Sequence, residues 1–143
     1  MPKLIVEFDP PDEQPVAFGG DTAPLVYFLS FAFALRYGAQ HELALAAGLL
    51  RDKHKIDLRP LLTFADRAAE DEADRRELER LWQDAAPLAE SCRRVVEAID
   101  ADEAVRERLG DEPALRERID ELGRIASRAT AEGRRVRLTF EMD

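Results

Sequence analysis

Both ends of the chain alternate apolar and polar residues, and almost everything between them has the apolar spacing of helices. Apolar side chains occupy every second position in residues 3–8 and again in residues 136–142: Leu4, Val6 and Phe8 in the first run, and Val136, Leu138, Phe140 and Met142 in the second. A period of two is typical of a half-buried strand. We therefore expect the two terminal strands to pair antiparallel, as a two- or three-stranded ribbon packed on a helical body.

The chain has 143 residues, which is an ordinary length for one domain with its own core. The predicted fold class is α+β, predominantly α: a helical bundle with a small antiparallel β-ribbon formed by the N- and C-terminal strands. Residues 1–21 are expected to form the first strand and a Pro-rich loop, residues 22–132 the helices, and residues 134–143 the last strand. Residues 16–18 are the candidate for a short third strand.

Apolar spacing, caps and breakers divide the middle of the chain into helices. Asp57 is expected to cap a third helix with Pro60 in its first turn, and the apolar stripe continues past a charged middle to Ala85. That segment is either one long helix or two helices with a short break. Pro87 is expected to kink or stop it. The other predicted helices cover residues 23–37, 40–51, 88–99, 102–109 and 111–132.

Charge and composition exclude several classes of protein. The net charge of −9 argues against binding to nucleic acid or to an anionic membrane surface, because both need a basic face. The longest apolar run, residues 23–35, is shorter than the roughly 20 residues of a membrane span, so it predicts a buried helix. Cys92 is the only cysteine, which excludes an intrachain disulfide and fits a reducing cytoplasm. No signal peptide is expected.

Acidic residues are plentiful, so pairs of carboxylates indicate no site, whereas there are only two histidines and one cysteine. His41 and His54 lie near opposite ends of the second helix, roughly 20 Å apart at 1.5 Å per residue, so they cannot share a metal. Cys92 falls in line with Leu88, Val95 and Ile99, a pattern typical of core packing. We therefore predict no catalytic residue, no metal site and no cofactor.

Two features could bind a ligand. A basic patch at the end of the second helix is formed by Arg51, Lys53, His54, Lys55 and Arg59. Its ordinary interpretation is a solvated loop, and the alternative is a contact for an anion or an acidic partner. The apolar helix 23–37 is expected to be core, with Tyr27, Ser30 and Tyr37 as the polar groups of a pocket wall in the alternative. The candidate ligand- or anion-binding residues are Arg51, Lys53, His54, Lys55, Arg59, Tyr27 and Tyr37.

Three functions follow from these observations. The first is a small soluble, non-catalytic module with an interaction, regulatory or accessory role. We expect it to form a homodimer, either by joining of ribbons or by pairing of helices, and a protein partner is a further candidate. The second is a small-molecule or anion-binding protein that uses the aromatic, apolar helix 23–37 and the basic loop 51–59. The third is an enzyme with dispersed acidic residues, such as Glu42 and Asp57, beside His41 or His54.

Overall fold

A computed structural model describes residues 1–13, 16–35, 40–110 and 113–142. Within them the chain is α+β and predominantly α, as the sequence predicts. The elements, in chain order, are β1 (Lys3–Asp9), α1 (Ala23–Ala34), α2 (Glu42–Asp52), β2 (Phe64–Asp66), α3 (Glu72–Glu79), β3 (Gln83–Asp84), α4 (Ala85–Ala101), α5 (Glu103–Leu109), α6 (Pro113–Ala131) and β4 (Arg135–Glu141). The predicted end of the first helix and the predicted start of the last helix lie outside the described residues.

The terminal strands pair antiparallel, which confirms the central prediction from the sequence. Their register runs from Lys3 opposite Glu141 to Asp9 opposite Arg135. The alternating apolar residues of both strands share one face, because directly opposite residues point to the same side of a sheet. On that face Leu4, Val6 and Leu138 are buried in the core.

The sheet is mixed and larger than the predicted antiparallel ribbon. β4 is its central strand, with β1 on one side and both short strands on the other. β2 runs parallel to β4 and β3 runs antiparallel to it. Residues 16–18 do not form the expected third strand. The additional strands come from segments for which the sequence predicts helix.

Residues 57–71 contain no helix, so the predicted helix from Asp57 is wrong in its first half. The Asp57 side chain accepts from the backbone N–H of Arg59 and so supports a local turn. Phe64 then packs against Phe33 and Phe140, with ring centroids 6.3 and 5.8 Å apart. The open edge of β4 and this aromatic contact outweigh the local helical pattern, which contains Leu58, Leu61 and Leu62.

Pro87 neither kinks nor stops a helix. It lies in the first turn of α4, where a residue without an N–H removes no intrahelical bond. Asp102 caps α5 through the backbone N–H of Ala104, as predicted, and Gly110 follows α5 with a φ of 70°.

The core is centred on the crossing of α4 and α6. Cys92, Leu122 and Ala126 are completely buried there. A Cβ added to Gly123 would lie 3.0 Å from the Cβ of Cys92, so any larger residue would have to push the two helices slightly apart.

Candidate functional site

Most charges of the predicted basic patch are neutralised by neighbouring carboxylates. Arg51 pairs with Asp52 at 2.8 Å, and Arg59 pairs with Asp57 at the same distance. The hydrogen bonds from these guanidinium groups hold the pKa of each carboxyl below its ordinary value. The patch therefore presents a mixed surface, in contrast to the concentration of positive charge that its sequence suggests.

Asp102 pairs with two further residues of the basic patch, Lys53 and His54. Its Oδ2 lies 2.9 Å from Lys53 Nζ and 2.7 Å from His54 Nε2. The hydrogen bond from Lys53, and next the one from His54, hold the pKa of Asp102 well below its usual range. This carboxylate also accepts the N–H of Ala104, so it ties the end of α2 to the start of α5.

The third function requires an imidazole beside a carboxylate, and among the described residues the hydrogen-bonded pair of this kind is His54 with Asp102. The sequence indicates Asp102 only as a helix cap. Nothing local in the sequence could have revealed its contact with His54, because the two residues are 48 positions apart. Since Asp102 also binds Lys53 and caps α5, the pair is accounted for by a structural role.

The backbone of the basic loop is also held in place. Arg94 donates from its two terminal nitrogens to the carbonyl oxygens of His54 and Lys55, at 2.9 and 3.2 Å. Lys55 adopts the left-handed region, with a φ of 56°. Of the five basic-patch residues, Lys55 is the one that forms no ion pair within the described part of the chain.

The outward side of α1 exposes apolar surface. Tyr27 is 44% exposed and Phe33 is 37% exposed, and the exposed Ser30 lies between them. We call the surface formed by these three side chains the α1 face. No charged residue occurs from residue 23 to residue 35, although 36% of the chain is charged. The opposite side of α1 is core, as the sequence predicts; Tyr37 lies outside the described residues.

Tyr27 also lines a cavity of about 630 Å³, called the Tyr27 cleft below. His41 lies at its edge and caps α2, because its Nδ1 accepts the N–H of Leu43 at 3.1 Å while its ring stacks on Phe31. Glu42 pairs with Arg108 across the cleft at 3.2 Å. The remaining lining residues are Met1, Asp21, Ala23, Pro24, Leu43, Glu107, Leu109, Gly110 and Leu115.

The two predicted ligand-binding features are not adjacent in this cleft. Tyr27 lies beside the N-terminus of α2, whereas Lys53 follows its C-terminus, and 11 helical residues span about 16 Å. The lining includes neither Lys53 nor Arg59. The sequence did not indicate that Glu42, Glu107 and Arg108 would meet Tyr27, because three separate helices bring them together.

Among residues 1–13, 16–35, 40–110 and 113–142, no group of three or more His, Cys, Asp or Glu side chains is arranged to hold a metal ion. No helix within the same ranges has both the length and the apolar character needed to cross a membrane.

Compared with known proteins, the chain matches no family model, no curated protein and no solved structure. Any functional conclusion therefore depends on the surfaces described above.

Proposed function

We propose that this protein is a small, non-catalytic interaction module that forms a homodimer through the α1 face. The observation that supports the proposal is the exposure of Tyr27, Ser30 and Phe33 on a helix that has no charged residue. Water-exposed helix faces usually carry charged residues, and an exposed face with aromatic side chains and no charge is typical of an interaction surface. A cytoplasmic location and a regulatory or accessory role belong to the same proposal.

A second copy of the chain is the partner whose chemistry fits best. The α1 face offers no charge with which a charged partner could pair, so its complement must also be uncharged. Among the described residues the exposed large apolar side chains are Met1, Tyr27, Phe33 and Met142. The α1 face contains two of them on one rigid helix, and therefore the same face of another copy is a matching surface.

An antiparallel crossing of two α1 helices makes the contact self-complementary. With Ser30 at the two-fold axis, its small side chain lets the helices approach, and Tyr27 of one copy faces Phe33 of the other. A helix of 12 residues is about 18 Å long, so the contact is well below the roughly 800 Å² per partner of a standard interface. The expected dimer is consequently weak and reversible.

Pairing of ribbons across the edge of β1 is less well supported. The N–H of Leu4 on this edge already donates to the Thr22 hydroxyl at 2.9 Å. Val16 lines two grooves that contain residues of β1, and it packs against the core together with Phe18. A loop over an edge strand is a common protection against further strand pairing, so helix pairing is the route we propose.

Sedimentation velocity over about 5 to 500 µM tests the homodimer. We expect the mean mass to rise from monomer towards dimer, and Ser30→Arg to raise the dissociation constant at least about tenfold through charge repulsion and desolvation. Ala73→Arg, at an exposed position of α3, is the matched control and should leave association unchanged.

Far-UV circular dichroism checks that the variants fold, and Ser30→Glu should act like Ser30→Arg because either charge is unfavourable at the axis. A wild-type monomer over the whole concentration range would overturn the proposal. So would an equal loss of association in Ala73→Arg.

A further inference from the structure

We infer that the Tyr27 cleft is a binding site for a small organic cation with an aromatic or aliphatic body. This site goes beyond self-association, because its lining comes from α2, α5 and α6 as well as from α1. It also differs from the anion site that the basic patch suggests.

The charges of the cleft favour a cation. Its lining includes three carboxylates, Asp21, Glu42 and Glu107, and one guanidinium group, that of Arg108. Arg108 pairs with Glu42, so those two charges offset each other. Asp21 and Glu107 form no ion pair within the described part of the chain. Among the described residues, the lining of the cleft therefore carries an excess of negative charge.

His41 is held beside the cleft by two contacts, because its Nδ1 accepts the N–H of Leu43 and its ring stacks on Phe31. The net charge of −9 for the whole chain further favours the approach of a cation over that of an anion.

The walls of the cleft suit an ammonium group attached to an apolar body. The half-exposed ring of Tyr27 is part of the wall, and tyrosine rings attract cations through their π-electrons. Pro24, Leu43 and Leu109 supply apolar surface beside it. A cavity of about 630 Å³ is within the usual size range of small-molecule sites.

Three aromatic probes of similar size and different charge test the assignment: benzyltrimethylammonium, benzyl alcohol and phenylacetate. Binding is measured by saturation-transfer difference NMR at about 10 µM protein, a concentration at which the weak homodimer is mostly dissociated. We expect benzyltrimethylammonium to bind with a millimolar dissociation constant and at least about fivefold more tightly than either other probe. Raising the salt concentration should weaken its binding, because the attraction is partly electrostatic.

Variants locate the binding within the cleft. Tyr27→Leu should weaken binding of the cation about fivefold and Glu107→Gln about threefold. Glu103→Gln, on the same helix but outside the lining, is the matched control and should have no effect. Tighter binding of benzyl alcohol or phenylacetate, no saturable binding of the cation, or equal losses in the two glutamate variants would overturn the inference. Tyr27 also belongs to the α1 face, so Glu107→Gln is the variant that separates the two proposals. It should weaken binding of the cation and leave the concentration dependence of the homodimer unchanged.

Discussion

Two regions of the molecule are rich in charged residues but contribute to the fold in different ways. One is the crossing of α4 with α6, and the other is the segment 67–82, which we call the strap. α4 and α6 each bury a continuous apolar stripe, and α3 within the strap buries no residue. Intrahelical ion pairs occur in both regions, for example Glu90 with Arg93 and Glu72 with Arg75. Such pairs support a helix that has already formed, but they do not decide where it docks.

Polar anchors to the sheet hold the strap in place. Arg137 of β4 contacts Glu7 at 3.1 Å and the carbonyl oxygen of Leu78 at 3.3 Å, and its guanidinium group lies 4.5 Å from the ring centroid of Trp82. Arg67 reaches Glu7 from the other end of the strap at 3.0 Å. Apolar burial therefore fixes the α4–α6 crossing, whereas a few charged and aromatic contacts position the strap.

Thiol labelling should show the largest difference between the two regions. Burial, and next the charge of Asp120, raises the pKa of the Cys92 thiol to about 12, so this thiol is protonated and shielded in the folded protein. With Ala73→Cys adding a thiol on α3, we expect a fast phase from residue 73 and a phase from Cys92 at least about a thousandfold slower. Stopped-flow reaction with an aromatic disulfide measures both. Equal rates would show that the crossing opens as readily as the strap.

Leucine truncation should show the next largest difference. Leu122 of α6 is completely buried and Leu78 of α3 is only partly buried. We expect Leu122→Ala to lower the free energy of unfolding by about 3 kcal/mol, because it removes buried surface and leaves a cavity. Leu78→Ala should cost less than about 1 kcal/mol. Urea denaturation followed by circular dichroism gives both values, and similar losses would contradict the proposed division of roles.

The smallest effect is expected at Asp102, which follows α4 and contacts Lys53 and His54. Because the folded pKa of Asp102 is depressed, its contribution to stability is present above its unfolded pKa of about 3.9 and is lost as the pH falls. Asp102→Asn should therefore lower the melting temperature near neutral pH, and the difference from wild type should shrink below about pH 4.

Asp84→Asn is the control for this pH dependence, since Asp84 precedes α4 without forming a side-chain cap bond. A difference between Asp102→Asn and wild type that stayed constant from neutral to acidic pH would show that the contacts of Asp102 with Lys53 and His54 do not stabilise the fold.

The apolar stripes of the sequence located much of the core. Leu88, Cys92 and Ile99 of α4 are buried as their spacing predicts, and the alternation in residues 3–8 correctly indicated the buried face of β1. These features are local: side-chain spacing along one helix or strand determines which residues share a face. The predicted cap at Asp102 was correct for the same reason.

Prediction from the sequence failed where contacts with distant segments decide the conformation of a residue. Phe64 lies in a pattern that favours helix, and it forms a strand because β4 and Phe33 are available to it in the folded chain. The same limit applies to the candidate sites. His54 and Lys53 were indicated as a basic patch, but their neutralisation by Asp102 depends on a contact across the fold.

By itself, the sequence determined the fold class, the antiparallel pairing of the two ends and the apolar faces of the long helices, since all three follow from periodicity along the chain. Only the tertiary structure decided the mixed sheet, the neutralised basic loop, the exposed α1 face and the acidic character of the Tyr27 cleft. Each of these depends on which residues meet across long sequence separations, and local spacing carries no information about such meetings.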